Sequence, residues 1–219
     1  DHIYDIIQTY PINASGVKRS IGSQTGKAYI FVQKGGDSMI SLTSGANQTV
    51  TEQDILDNER LFINANTCLL QTEIPLSAIL KATQLAKKYH ATTVLKPSAC
   101  SELPVSLLEN IDIIIPNLDE INDICPGEGS IEEKAEYLLS LGIQIVIITL
   151  GADGCYVRTK EIEEYLPAAS FTSIDTAGAG DAFISAFISY RLYDYDILSA
   201  AKIATYAAGF STTTQGTVP

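Results

Sequence analysis

Short β-branched runs alternate with helical segments over most of the chain after Arg60, and this alternation is the strongest constraint on the fold. Strands are predicted at residues 61–64, 92–95, 111–115 and 143–149. One helix is predicted between about Pro75 and Tyr89, and another opens at the Ser130 capping box and ends at Gly142. Because parallel strands connect through right-handed helical crossovers, the pattern predicts an α/β fold with a parallel central sheet flanked by helices.

The segment before this alternation is predicted to hold a β-hairpin and a short helix. Two β-rich runs, residues 27–32 and 39–42, flank a glycine-containing turn at residues 34–37, and Thr51 caps the helix that follows. The chain contains no linker-like or low-complexity segment. Residues 1–219 are therefore interpreted as one α/β domain with a small hairpin at about residues 25–43.

The segment after the alternation ends in two apolar helices. Strand-like runs around Tyr156 and Tyr165 come first, and the helices are predicted at about residues 180–190 and 197–208. Asp196 is the expected N-cap of the second helix.

Composition and charge exclude several functional classes. Lys and Arg number 14 against 26 Asp and Glu, so the net charge of −12 repels a phosphate backbone and no nucleic-acid partner is expected. No apolar run approaches the roughly 20 residues of a membrane helix, so no membrane partner is expected either. The four cysteines form no C-x-x-C pair and are interpreted as reduced thiols of a cytoplasmic protein. With only His2 and His90, the chain has almost no residues from which to build a histidine-based triad or a multi-histidine metal site, which disfavours nucleophilic hydrolysis.

A glycine-rich turn between a strand-like run and a helix carries the clearest chemical signal. Backbone N–H groups of Gly178, Ala179 and Gly180 are predicted to form an anion hole at the helix N-terminus. Asp181 then lies beside a bound anion, where a carboxylate suits a general base. A dinucleotide fingerprint is excluded because Phe183 occupies the place of its third glycine.

Four ordered motifs resemble those of the PfkB family of carbohydrate kinases, which have the ribokinase-like fold. Residues 175–188, with the sequence DTAGAGDAFISAFI, are similar to the family's C-terminal signature. Asn117 and Glu120 resemble its N-x-x-E motif, and residues 149–154 resemble its T-L-G-x-x-G nucleotide loop. Glu73, in the segment LQTE, resembles the carboxylate that the family brings to the sugar.

The resemblance implies an ATP-dependent transfer of phosphate to a sugar hydroxyl, with Asp181 as general base and sugar contact, beside Glu73. Asn117 and Glu120 would act near Mg²⁺ and the phosphates, although taken alone they also fit a helix cap. The implied nucleotide contacts are Thr149, Leu150, Gly151, Ala152, Asp153, Gly154, Gly180 and Thr205. The implied K⁺ contacts, mainly through backbone carbonyls, are Asp175, Ala177, Ser211, Thr214 and Gly216.

The hairpin resembles the family's lid, which implies a homodimer formed by pairing of two lids. No glycine-rich sugar-binding motif precedes Ser15, so the chain is expected to be N-terminally truncated, and the identity of the sugar stays open. Lys96 stands where ribokinases begin an N-P-A segment. Two alternatives remain open: a nucleoside kinase of the same fold, and a non-catalytic dimerisation remnant.

Overall fold

The computed structural model describes residues 2–32, 38–98, 102–125 and 127–217. The strands are β1 Lys27–Val32, β2 Ser38–Thr43, β3 Thr67–Gln71, β4 Thr92–Lys96, β5 Ile113–Ile114, β6 Ile145–Thr149, β7 Cys155–Arg158 and β8 Glu163–Leu166. The α-helices are α1 His2–Thr9, α2 Glu52–Asp57, α3 Leu76–Lys88, α4 Val105–Leu108, α5 Leu118–Ile124, α6 Ile131–Ser140, α7 Ala179–Leu192 and α8 Ile197–Ser211. Short 3₁₀ turns occupy Gly45–Thr49, Glu59–Leu61 and Gly151–Asp153.

The central sheet has the order β3-β4-β5-β6-β7-β8, in which the first four strands are parallel and the last two are antiparallel. Successive residues of a strand point to opposite faces, so Leu95 packs on one side with Ile79 of α3, and Val94 packs on the other with Phe187 of α7. Helices α3 to α6 cover the first face and α7 and α8 cover the second. The predicted α/β architecture is confirmed.

Several helix ends lie where the local sequence predicted them. Capping boxes open α2 at Thr51 and α6 at Ser130, and the Asp196 side chain accepts a hydrogen bond from Ser199 N at the start of α8. Gly142 follows α6 with φ of +103°, a conformation that a glycine adopts without strain. These ends are local features, which explains why they were predictable.

The strand predicted at residues 61–64 is wrong. That segment follows the 3₁₀ turn and continues as a turn, with Ala65 N donating to Phe62 O at 3.2 Å, and the first strand of the sheet begins at Thr67. The physical reason is burial: Ile63 is 52% exposed, whereas Leu70 of β3 lies in the core.

The predicted hairpin is present as β1 and β2, which pair antiparallel from Lys27 opposite Thr43 to Val32 opposite Ser38. The turn predicted at residues 34–37 lies outside the described residues, as does Cys100. The three described cysteines, Cys68, Cys125 and Cys155, form no disulfide, in agreement with the prediction of reduced thiols. Within the described ranges, every helix is too short or too polar to cross a bilayer.

Candidate active site

The 149–154 loop leaves the carboxyl end of β6 and is held in a tight turn. Thr149 N donates to Pro116 O at 2.9 Å, and Leu150 N donates to Gly154 O at 2.8 Å. Gly154 has φ of +99°, and a Cβ there would lie 2.0 Å from the Leu166 carbonyl oxygen. Only glycine fits at this position, so the turn of the predicted nucleotide loop is fixed by sterics.

The 178–180 turn forms the N-terminus of α7. Gly178 is the N-cap, with φ of +79°, and Ala179 N donates to Thr176 O at 3.2 Å. In the described part of the chain, no backbone carbonyl accepts a hydrogen bond from the N–H groups of Gly178, Gly180 or Asp181. Unpaired donors at the positive end of a helix dipole suit an anion. The sequence predicted three such donors, at Gly178, Ala179 and Gly180, but Ala179 contributes its N–H to the turn itself.

A cavity of about 430 Å³ lies between this turn and the 149–154 loop. It gathers six of the predicted nucleotide residues: Thr149, Gly151, Ala152, Gly154, Gly180 and Thr205. Two other residues of that set do not line it, since Leu150 packs against the hydrophobic core and Asp153 is exposed. The sequence thus identified six of the residues that line this cavity, four of them in the 149–154 loop.

Aromatic residues of this cavity were missed from the sequence. Phe171 and Phe183 line it, and Phe171 also contacts helix α8 so closely that a Cβ on Gly209 would lie 2.6 Å from its ring. Phe171 lies in the stretch between β8 and α7, which has no periodic pattern to mark it.

Asp181 lines a second cavity, of about 240 Å³, together with Leu69, Gln71, Lys96, Ile184 and Ser185. The carboxylate is exposed in the first turn of α7, one residue beyond Gly180. The start of α7 therefore has the larger cavity on one side and the Asp181 cavity on the other. This arrangement can present a phosphate donor and an acceptor to the same helix end.

Asn117 and Glu120 form the capping box of α5. Glu120 N donates to Asn117 Oδ1 at 2.7 Å, and Asn117 N donates to Glu120 Oε2 at 2.8 Å. The same Oε2 accepts from Lys96 Nζ in an ion pair, while Oε1 accepts no hydrogen bond from the described residues. Amide and carboxylate oxygens suit Mg²⁺, and a carboxylate has about four acceptor positions, so the residues present fit the implied ion.

Asp175 ties the glycine turn to the end of the chain. Its carboxylate accepts from Ala177 N and from Gly216 N, each at 3.0 Å, and these N–H groups lower the pKa of Asp175 below its ordinary value. Ile174 N and Asp175 N both donate to Thr212 O. The structure thus gathers Asp175, Ala177 and Gly216 from the predicted K⁺ set.

The two other residues of the predicted K⁺ set, Ser211 and Thr214, lie at the end of α8 and just after it. Ser211 donates its hydroxyl to Ala208 O at 2.8 Å, and Thr214 is exposed in the loop after α8. Among the described residues no group of three His, Cys, Asp or Glu side chains could hold a metal. A monovalent cation here would need backbone carbonyl oxygens, which is what the sequence implied.

Glu73 does not line the Asp181 cavity. It lies just after β3 and lines a different cavity, of about 310 Å³, with residues of the hairpin base that include Lys27 and Thr43. The structure therefore brings Glu73 to the hairpin rather than directly to Asp181.

Comparisons with known proteins agree with this fold. Residues 1–219 match the family described as pfkB family carbohydrate kinase. Ribokinase of Staphylococcus aureus (strain COL) is 38% identical over 92% of this chain and 67% of its own length. Deoxyribokinase of Salmonella typhi is 30% identical over 96% of this chain and 71% of its own length. The structure of Arabidopsis thaliana ribokinase complexed with ribose and ATP superimposes with a TM-score of 0.79 at 26% identity, over 90% of this chain and 66% of that one.

The fold and the site define a carbohydrate kinase of the ribokinase-like class, as the sequence predicted. The chain belongs to the pfkB family. It spans about two thirds of the length of the ribokinases of Staphylococcus aureus and Arabidopsis thaliana.

Proposed function

We propose that the protein transfers the γ-phosphate of ATP to a hydroxyl group of a pentose. The observation that carries this proposal is the position of Gly180 and Asp181 between two cavities at the start of α7. Two pentose-kinase relatives, the ribokinase and the deoxyribokinase, favour ribose or deoxyribose as the acceptor. No observation on the site favours a nucleoside over a pentose.

The nucleotide would bind in the larger cavity, with its phosphates toward the 178–180 turn. Thr149, Gly151 and Gly154 form one side, and Thr205 lies on α8 where adenine would be contacted. Asn117 and Glu120 would hold Mg²⁺, through water, and the ion when bound neutralises phosphate charge. The unpaired N–H groups of the turn would stabilise negative charge on the transferring phosphoryl group.

Asp181 would act as the general base. Its carboxylate takes the proton of the acceptor hydroxyl, whose oxygen forms the new bond to phosphorus. The bond between that phosphorus and the bridging oxygen of ADP breaks, and ADP keeps the electron pair. Gln71 and Lys96 line the same cavity, so the acceptor would have polar neighbours beside the base.

The hairpin and Glu73 would complete the acceptor side. Glu73 lines the cavity at the hairpin base, so movement of β1 and β2 would move that cavity's wall relative to Glu73. We also propose that the hairpin pairs with its copy in a homodimer, and that carbonyl groups around Asp175 bind K⁺.

A coupled assay for ADP release tests the proposal. The full-length protein is supplied with Mg²⁺ and ATP, and with ribose, 2-deoxyribose, fructose or adenosine in turn. Turnover with a pentose within the usual 1–100 s⁻¹ of kinases is expected. Turnover confined to adenosine would mean a nucleoside kinase, and no acceptor-dependent ADP release would contradict the proposed activity.

A further inference from the structure

Lys96 and Glu120 form the most enclosed ion pair among the described residues. Their side chains are 12% and 17% exposed, whereas every other described pair has at least one partner more than a third exposed. Lys96 lies at the carboxyl end of β4 and Glu120 in the first turn of α5, 24 positions later in the chain. An enclosed ammonium loses much of its hydration, so a paired lysine at this position has an energetic cost that its contacts must offset.

The helix cap does not require the lysine. Helix α6 opens with the same kind of capping box, in which Ser130 N donates to Glu133 Oε2 at 2.9 Å. Glu133 forms no ion pair with any described residue, and α6 nevertheless begins where its sequence predicts. A lysine is therefore not needed for such a cap, and Lys96 adds a positive charge beside the Glu120 carboxylate.

We infer that Lys96 is a positioning residue that weakens the hold of Glu120 on Mg²⁺. This inference depends on the proposed function, in which Glu120 acts near the ion. The ammonium and Mg²⁺ both favour a position beside the same carboxylate, and two positive charges at one carboxylate repel each other. Lys96 thus prevents Glu120 from binding Mg²⁺ strongly by itself, so the ion enters and leaves with the nucleotide phosphates.

The test measures binding rather than turnover. Calorimetry gives the affinity for ADP at a series of Mg²⁺ concentrations. From this series we obtain the Mg²⁺ concentration at which half of the increase in ADP affinity is reached, which is the Mg²⁺ requirement. For Lys96→Met this concentration is expected to fall about tenfold, because the repelling charge is gone. Lys96→Arg keeps the charge and is expected to stay within about twofold of the unchanged protein.

A matched control and a second variant keep the result interpretable. Lys88→Met removes an exposed ammonium that is paired with Glu59; neither residue lines the nucleotide cavity or the Asp181 cavity, so the Mg²⁺ requirement should stay unchanged. Lys96→Asn introduces the residue of the ribokinase pattern, and it should lower the Mg²⁺ requirement as Lys96→Met does. It keeps the test possible if the methionine variant does not fold. In a Glu120→Gln background, replacing Lys96 should no longer change the requirement, since the carboxylate is absent.

The outcomes distinguish a failure of this inference from a failure of the proposed function. If the Mg²⁺ requirement of Lys96→Met and Lys96→Asn is unchanged or raised while the parent phosphorylates a pentose, Lys96 is only a structural ion pair and the inference is wrong. If the parent binds no adenine nucleotide, the proposed function and the inference are both wrong. A lowered requirement that disappears in the Glu120→Gln background is the expected result.

Discussion

Gly180 and Asp181 are consecutive residues in the first turn of α7, yet they line two different cavities. Gly180 lines the cavity beside the 149–154 loop, and a Cβ built on it would meet no atom within 4 Å. Asp181 lines the smaller cavity with Lys96. The start of α7 thus lies between a cavity suited to a nucleotide and a cavity suited to an acceptor. Substitutions at Gly180 and at Asp181 should therefore affect nucleotide binding and catalysis separately.

Replacing Asp181 with Asn should lower kcat by at least about 10²-fold, since removal of a general base typically costs 10²–10⁴. The affinity for ADP should change little, because Asp181 does not line the larger cavity. Steady-state kinetics and calorimetry measure the two effects. Asp194→Asn at the far end of α7 is the control, because Asp194 has φ of +63° and Asn tolerates that conformation. Equal losses of kcat and ADP affinity would identify Asp181 as a structural residue.

Replacing Gly180 with Leu should abolish nucleotide binding without unfolding the protein. A Cβ at this position meets no atom within 4 Å, and leucine has a higher helix propensity than glycine. Because Gly180 lines the larger cavity, the leucine side chain is expected to occupy part of it. Thermal unfolding should therefore change little while calorimetry detects no ADP binding. Retained ADP affinity would show that the nucleotide does not occupy this cavity.

Replacing Gly154 with Ala, in contrast, should lower the stability of the protein. A Cβ at this position would lie 2.0 Å from Leu166 O, and φ of +99° is strained for alanine. The free energy of unfolding should fall by at least roughly 2 kcal/mol, in the range for a strained backbone position. Chemical denaturation measures this loss, and Gly142→Ala is a comparison, since its φ is also positive but its Cβ would meet no atom within 4 Å. An equal loss at both positions would exclude the close contact as the cause.

The Asp175 carboxylate should contribute stability that depends on pH. Its folded pKa is lowered from 3.8 by the N–H groups of Ala177 and Gly216, so the contribution is present above the unfolded pKa and is lost as the pH falls through the folded one. Asp175→Asn should therefore be less stable than the parent at pH 7, and the difference should shrink as the pH falls below 3.8. Urea unfolding across this window measures it. A difference that stays constant down to about pH 3 would exclude the carboxylate charge as its source.

Local signals were predictable from the sequence and contacts between distant segments were not. The caps at Thr51 and Ser130 each involve residues three positions apart, and the structure confirms both. The Lys96–Glu120 pair joins the end of β4 to the first turn of α5, 24 positions later, so no spacing rule identifies it. The strand expected at residues 61–64 had the right composition, but Ile63 is half exposed, and burial decides between a strand and a turn.

Phe171 should contribute to nucleotide affinity, although no sequence pattern marks it. Its ring lines the larger cavity and is 40% exposed, and it lies against the bare backbone of Gly209. It also makes edge contacts with Tyr206 and Phe210, at centroid distances of 6.5 and 6.2 Å, which hold it at the cavity. An adenine base bound beside Thr205 would therefore have an aromatic surface within the same cavity.

Phe171→Ala should weaken ADP binding roughly tenfold, within the range that stacking of a base on an aromatic ring contributes. Phe210→Ala is the matched control, because Phe210 belongs to the same aromatic group and is 67% exposed but does not line the cavity. Calorimetry with ADP and with pyrophosphate then separates the base from the phosphates. The expected loss appears with ADP alone. Equal losses with both ligands, or equal losses for both variants, would mean that Phe171 supports the cavity without contacting the base.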